Sequence, residues 1–248
     1  GMVEPDLVVD IKRIKGMRDI KKTASGFVIG AATPNVALSE NAALLKAWPG
    51  VVEAAQLIGS KQVQGRCTMA GNLCNASPAA DAVPALVAAG AKVVLASVKG
   101  KRKLAVEDVP AGVGRTVLKK GEIVEAIELP AKKPKSGDAY LRFIPRTEMD
   151  IAVVSCGVNL TIDGKGIITA ARVALGAVAP TVLLVKDAAK AIIGSKLDDA
   201  AKAKLAAAAS AACRPIDDKR GTVEFRTEVA GVMARRAAEI AYARAGGK

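Results

Sequence analysis

Arg66–Asp81 reads RCTMAGNLCNASPAAD, a span of small and polar residues between two strongly apolar segments. Before it, Val51, Val52, Ala54, Ala55, Leu57 and Ile58 carry the spacing of a helical face. After it, AVPALVAAGAKVVLAS (82–97) passes from a helix-like piece into the strand-like Val93-Val94-Leu95. A polar, glycine-bearing loop between two buried elements offers its backbone to a ligand. Gly71 has no Cβ, so a ligand can approach the main chain closely there. Thr68, Asn72 and Ser77 bring hydroxyl and amide groups suited to phosphate and sugar oxygens. On these residues alone, an ordinary Gly-Asn turn closing a helix accounts for the stretch equally well.

Thr68–Asp81, TMAGNLCNASPAAD, resembles the second flavin-binding motif of the molybdenum hydroxylases, T-x-G-G-N followed by a short A-S-P-x-x-D tail. The likeness extends along the chain. Pro5–Ile20 is similar to the family's P-x-x-L-V-D-I opening, and Val28–Thr33 (VIGAAT) to its I-G-A-x-T strand and turn. Gly121–Pro130 (GEIVEAIELP), Arg146–Ala152 (RTEMDIA) and Arg214–Arg226 (RPIDDKRGTVEFR) resemble three later landmarks in the right order. The chain is identified as a member of the FAD-binding medium subunits of the xanthine dehydrogenase and carbon monoxide dehydrogenase family.

The resemblance implies site residues. Thr68, Ala70, Gly71 and Asn72 lie against the FAD diphosphate and ribityl portion, and Asp81 accepts hydrogen bonds from cofactor hydroxyls. Val124 packs near the flavin ring, Arg142 stands near its polar edge, and Thr33 approaches through the IGAAT turn. A fixed cation at the ring stabilises the anionic reduced flavin. Two positions depart from the family. Ala70 replaces the first glycine of the pair, which is tolerable at negative φ and crowds the diphosphate if the loop turns left-handed. Arg142 stands where lysine is more usual, a change in shape and donor number. Each residue also has a structural reading: Asp81 as N-cap of the helix beginning at Ala82, Val124 as a core strand residue, Arg142 as an exposed one.

Composition narrows the classes. Of 248 residues, 51% are hydrophobic but only 2% aromatic, so cores must be built from Ala, Val, Leu and Ile. The absence of histidine excludes His-based nucleophilic sites, proton shuttles and His-ligated metals within this chain. Cys67, Cys74, Cys156 and Cys213 are too few and scattered for a disulfide framework, and the C-x6-C of the first two fits no cluster pattern; free buried thiols are expected. The net charge of +13 comes from dispersed basic residues, with clusters at Lys12–Lys22, Lys99–Lys103 and Lys132–Lys135. Six widely spaced aromatics offer no stacking platform for single strands, so these clusters read as solvated surface, with partner docking second. Apolar runs are too short to span a membrane, and no secretory leader is seen, which points to the cytoplasm.

The pattern predicts an α+β chain: an FAD-binding domain over 1–133, lacking its N-terminal lobe, and a second domain over 134–248 of a three-stranded antiparallel sheet with helices. Strands are expected at Leu7–Ile11, up to Thr33, at Ala91–Ser97 and at Ile123–Leu129. Helices are expected at Leu38–Leu45, Val51–Ile58 and Ala82–Ala89, with a turn at Lys99–Arg102. Ala131–Gly137 (AKKPKSG), charged and without an apolar anchor, is the boundary. Beyond it, strands at Tyr140–Ile144, Ile151–Ile162 and Ile167–Leu175 flank an Asp163-Gly164 hairpin turn. Helical segments follow at Ala188–Ile193, Asp198–Cys213 and Val223–Arg244, and Asp150 reads as a turn group rather than a catalytic acid.

The resemblance implies an FAD electron-transfer subunit that works beside a large molybdopterin subunit and a small [2Fe–2S] subunit, in a dimer of heterotrimers. Electrons would pass from the partner's clusters through FAD to an external acceptor, with no nucleic acid involved. The family's first flavin motif, A-G-G-T-D-L, is not in this sequence, which leaves a rival reading: a paralogue that keeps the fold, has lost FAD and serves as an interaction subunit. A nucleic-acid-binding protein rests on net charge alone.

Overall fold

The computed structural model describes residues 4–247. The chain enters without regular structure and makes a 3-10 turn at Ile11–Arg13, capped by Asp10, whose carboxylate accepts the Lys12 N–H at 2.9 Å. The strand expected at Leu7–Ile11 does not form. Leu7, Val8 and Val9 are 78, 81 and 67% exposed, and no strand among the described residues pairs with them. Apolar, β-favouring residues make a strand only where an edge receives them.

β1 (Ile20–Thr23) and β2 (Gly26–Gly30) form a hairpin. Gly26 adopts φ +131°, and a Cβ there would fall 2.0 Å from the Leu129 carbonyl oxygen, so the close approach requires glycine. Helices follow as α1 (Asn35–Glu40), α2 (Ala42–Ala47), α3 (Pro49–Gln56), α4 (Lys61–Gln64), α5 (Met69–Cys74) and α6 (Ala82–Ala89). The helix expected over Leu38–Leu45 is broken at Asn41, whose side chain caps α2 by accepting the Leu44 N–H. Pro49 opens α3, where its missing N–H has no partner to lose. The chain continues through β3 (Lys92–Ser97), β4 (Gly100–Ala105), a small hairpin of β5 (Pro110–Gly112) and β6 (Arg115–Thr116), and β7 (Ile123–Pro130). Five of these strands make an antiparallel sheet in the order β1-β2-β7-β3-β4.

The second sheet contains the three long strands expected, β8 (Ser136–Phe143), β9 (Val154–Ile162) and β10 (Ile168–Gly176), plus a two-residue edge strand β11 (Leu183–Leu184), in the order β11-β10-β9-β8. Asp163 closes the β9–β10 turn by accepting the Lys165 and Ile167 N–H groups at 2.8 and 2.9 Å. α7 (Lys186–Ile192), α8 (Asp199–Ala212) and α9 (Val223–Arg244) complete the chain. Among the described residues no helix is long and apolar enough to cross a membrane.

Strand periodicity sorts the second sheet into two faces. A Cβ on Gly137 would strike the Ala241 carbonyl, so odd-numbered β8 residues face α9. Tyr140 and Arg142 lie on the opposite face, paired across the ladder with Gly157 and Ser155. A Cβ on Gly157 would strike the backbone of Pro84, so that face meets α6. All eight residues of α6 are buried, as expected of a helix apolar all round and packed on both sides. Pro84 is accommodated because it lies in the first turn, where no intrahelical N–H bond is lost.

The Lys132–Lys135 cluster departs from its solvated reading at its first residue. Lys132 is not solvated: its ammonium bonds the Asp138 carboxylate at 2.7 Å and lies 3.9 Å from the centroid of the Trp48 ring. Burial lowers the Lys132 pKa and raises that of Asp138. Arg244 of α9 donates to the Asp138 carbonyl at 2.8 Å and pairs with Glu53 of α3, which ties both helices to this point. The Lys99–Lys103 cluster matches its solvated reading in part: Lys101, Arg102 and Lys103 pair with Glu125, Glu122 and Glu128.

Candidate functional site

The motif stretch is a short helix rather than a loop. Thr68 is the N-cap of α5, its Oγ1 accepting the Gly71 N–H at 2.9 Å. Met69, Ala70 and Leu73 face the core, which leaves Thr68, Gly71 and Asn72 on the other side. There they wall an open cavity of about 350 Å³ with Lys12 and Arg66; Ala31 and Ala32 line it too. Among the described residues no carboxylate lines this cavity, while two cations do. The Thr68 hydroxyl proton and the Asn72 Nδ2 group have no hydrogen-bond partner among the described residues. A Cβ on Gly71 would lie 3.1 Å from Thr68 Oγ1, tight enough to disturb the cap.

Ala70 is helical and 4% exposed, so its methyl fills the core and does not meet the cavity. The left-handed turn that would have made this departure costly does not occur. Thr33 is buried beside the cavity's Ala31-Ala32 wall, its hydroxyl 3.5 Å from the Asp19 carbonyl. Ser77 stays outside the cavity, its Oγ accepting the Ala79 N–H at 3.3 Å. Val124 is 5% exposed and packs in the first core, in line with its structural reading.

Asp81 does not cap α6. That role falls to Asn72, whose Oδ1 accepts the Ala82 N–H at 3.0 Å and so joins the cavity wall to the start of the helix. Asp81 turns to the second sheet instead. Tyr140 donates its hydroxyl to Asp81 Oδ1 at 2.8 Å, and Arg142 donates Nη1 to Oδ2 at 2.8 Å. Arg142, read as an exposed strand residue, has a side chain only 5% exposed. Burial pushes the Asp81 carboxyl above the usual aspartate range, opposed by Arg142 and Tyr140. Burial, then the Asp81 carboxylate, raises the Tyr140 phenol well above its ordinary value. Arg142 Nε is buried without a partner among the described residues, as is the hydroxyl of Ser155 across the ladder.

The cavity and the Asp81–Arg142 pair are thus two parts of one region, joined through Asn72 and α6, and Asp81, Val124 and Arg142 do not line the cavity itself. Lys12, Arg66 and Tyr140 were missed in the sequence. Tyr140 had a legible signal, since it lies two residues from Arg142 on a strand and therefore shares its face. Asp150 matches its turn reading, accepting the Ile151 N–H at 2.8 Å. The four cysteines are free, but only Cys156 and Cys213 are buried; Cys67 is half-buried at the cavity and Cys74 is exposed.

The double use of Asn72 makes a testable point. Asn72→Ala is expected to lower stability by about 1 kcal/mol through loss of the α6 cap, a fall of roughly 2–4 °C in Tm. A thermal melt with no change would show that the Ala82 N–H finds another acceptor.

Residues 1–132 match the family described as the FAD binding domain in molybdopterin dehydrogenase, and residues 139–241 the CO dehydrogenase flavoprotein C-terminal domain. The chain is 34% identical over 244 residues to the carbon monoxide dehydrogenase medium chain of Afipia carboxidovorans, covering 98% of this chain and 84% of that one. It is 27% identical over 243 residues to the xanthine dehydrogenase FAD-binding subunit of Escherichia coli O157:H7, covering 97% and 83%. The structure superposes on carbon monoxide dehydrogenase from Hydrogenophaga pseudoflava with a TM-score of 0.93, at 32% identity over 98% of this chain and 84% of that one. The chain therefore belongs to the family of FAD-binding medium subunits of the molybdenum hydroxylases.

Proposed function

We propose that this chain is the electron-transfer subunit of a cytoplasmic molybdenum hydroxylase complex, holding FAD between [2Fe–2S] clusters of a small partner subunit and an external acceptor. A large molybdopterin subunit would carry out hydroxylation, and the complex would be a dimer of heterotrimers. Residues 1–133 form the cofactor domain in this reading, and 134–248 the second domain, which supplies Tyr140 and Arg142. One observation carries the proposal: a cavity at Thr68, Gly71 and Asn72 lined by Lys12 and Arg66 and by no carboxylate among the described residues, linked through the Asn72 bond to α6 with a buried Asp81–Arg142 pair.

The residues fit FAD. Gly71 keeps the cavity wall free of a side chain, and Thr68 and Asn72 retain unspent donors suited to phosphate oxygens. Lys12 and Arg66 add positive charge on the same side; Lys12 also lies 3.4 Å from Asp10 at the rim. Arg142 Nε is a buried donor with no acceptor among the described residues, an unmade bond that costs about 1–3 kcal/mol. Bound FAD would supply exchange of one or two electrons, chemistry that no side chain here provides. The protein's part is to bind the diphosphate with Thr68, Gly71, Asn72, Lys12 and Arg66, and to hold a fixed cation, Arg142, inside a buried setting. Thr33 lies beside the Ala31-Ala32 wall, Val124 packs in the first core, and Ala70 packs behind the motif.

The assembled complex is expected to be yellow and to release FAD on denaturation, in equal amount to this chain. Complex that lacks flavin while retaining this chain would instead favour an interaction subunit without the cofactor.

A further inference from the structure

A second cavity, of about 180 Å³, lies where β7 passes into β8, and it shares no lining residue with the cavity at Thr68. Strand register sets its polar wall. Asn159 of β9 pairs with Asp138 of β8 and Arg172 of β10, and Thr161 pairs with Ser136 and Ala170. Asn159 and Thr161 share the face that Gly157 turns to α6. That helix ends at Ala89, itself a lining residue, and Asn159, Thr161 and Arg172 line the cavity beside it. Pro130, Ala131 and Ala171 supply an apolar wall.

The donors are already oriented. Lys132 Nζ donates to Asp138 Oδ1 at 2.7 Å and to Asn159 Oδ1 at 3.3 Å. An ammonium only donates, so Asn159 must turn its oxygen to it and keeps Nδ2 free. Arg172 donates Nε to the Val87 carbonyl at 2.9 Å and Nη2 to Glu107 at 2.8 Å. Those two bonds fix the guanidinium plane and leave Nη1 uncommitted among the described residues. Thr161 accepts a side-chain bond only through its carbonyl, so its hydroxyl is also free among the described residues. Ser136 commits its hydroxyl to the Lys133 carbonyl at 2.6 Å.

Charge sets the valence of a ligand. Lys132–Asp138 and Arg172–Glu107 are neutral pairs. Lys133, exposed and outside any ion pair among the described residues, leaves one positive charge, and no carboxylate among the described residues lines the cavity. One charge, free donors on one wall and hydrocarbon on the other match a monoanion with an apolar body. A phosphate dianion would leave a charge unmatched and the apolar wall unused. At about 30 Å³ per water, the space equals roughly six waters, enough for a carboxylate on a short chain or a single ring.

We propose that this cavity is a binding site for a small organic monocarboxylate, its charged end held by Lys133, Asn159 and Arg172 and its hydrocarbon body against Pro130 and Ala171. Such a ligand bridges the end of β7 and the second sheet, and by binding only the folded chain it raises the Tm. The site is independent of the FAD reading.

Trp48 is the single tryptophan of the chain and lines this cavity, so its fluorescence reports occupancy here and not at Thr68. The probe is cyclohexanecarboxylate, which does not absorb where tryptophan is excited, titrated into the full chain beside its neutral carboxamide and inorganic phosphate. The carboxylate is expected to change Trp48 emission saturably and to raise the Tm, with the carboxamide and phosphate each binding about ten-fold more weakly or worse. Lys133→Gln strands no buried partner and should weaken carboxylate binding about ten-fold, and Thr161→Val by a smaller factor. Lys99→Gln, a charge removed elsewhere on the surface, should leave it unchanged. No saturable change in emission overturns the proposal. Equal binding of the carboxamide overturns the role of charge, and phosphate binding as tightly as the carboxylate overturns the ligand class. Undiminished affinity in both Lys133→Gln and Thr161→Val overturns the location.

Discussion

Replacing Asp81 by alanine is expected to lower stability by about 3–5 kcal/mol, because it strands the buried Arg142 charge; the Tm should fall on the order of 10 °C. The side chains of the pair are 5 and 11% exposed, so solvent cannot take over the lost partner. The Tyr140 hydroxyl would also lose the Asp81 carboxylate as its acceptor. FAD retention in the complex should fall with it, since Arg142 would no longer be held. Asp81→Asn separates charge from shape: it keeps an oxygen for Tyr140 and a side chain of the same size against Arg142, and should lie between wild type and alanine. The pH dependence has a definite sign. Burial raises the folded-state carboxyl above its ordinary value of 3.8, so the folded chain binds this proton to higher pH than the unfolded chain. That contribution is fully present below 3.8 and is lost as pH rises through the folded-state value. The stability difference between wild type and Asp81→Asn should therefore narrow as pH rises across this window, with Asp138, raised for the same reason, left in both. Denaturant melts at several pH values check it, and a difference that widens with pH would contradict the burial argument.

Much of this arrangement was legible because it is local. Small apolar residues at 82–89, the glycine after them and the run Lys92–Ser97 mark α6 and β3 by periodicity and turn chemistry alone. The Asp163-Gly164 turn announces the β9–β10 hairpin in the same way. The family likeness of Thr68–Asp81 directs attention to this region. What stayed hidden depends on contacts between distant residues. Tyr140 and Arg142 reach Asp81 across 59 and 61 positions, a meeting set by how α6 lies on the second sheet and not by any neighbour in sequence. Lys132 looked solvated because its partner Trp48 is far back in the chain. Leu7–Ile11 looked like a strand because propensity cannot report whether an edge is available to pair. α5, at six residues, is too short to show a period, so a helix was read as a loop.

The contact that brings these distant groups together can be broken at one position. A Cβ on Gly157 would lie 2.5 Å from the Pro84 carbonyl oxygen and 3.0 Å from the Ala85 Cα, both backbone atoms that no rotamer change can move. Gly157→Ala is expected to cost about 2–3 kcal/mol by overpacking, and Gly157→Val to prevent α6 from docking at all. Gly176, on the adjacent strand, differs in kind: a Cβ there meets the Pro84 ring at 2.7 Å and the Ser155 hydroxyl at 2.5 Å, both side chains. Pro84→Ala should therefore relieve much of the strain of Gly176→Ala and little of that of Gly157→Ala. Thermal melts of the three single and two double variants measure this directly, and equal rescue at both glycines would mean that α6 shifts as a body. Because Asp81 stands at the head of α6, displacement of the helix also draws its carboxylate away from Tyr140 and Arg142. Gly157→Ala should thus weaken FAD retention in the complex although no atom of residue 157 lines the cavity. Flavin retained at the wild-type level, in a variant whose Tm has fallen as expected, would show that the pair is held by its own hydrogen bonds and not by the packing of α6.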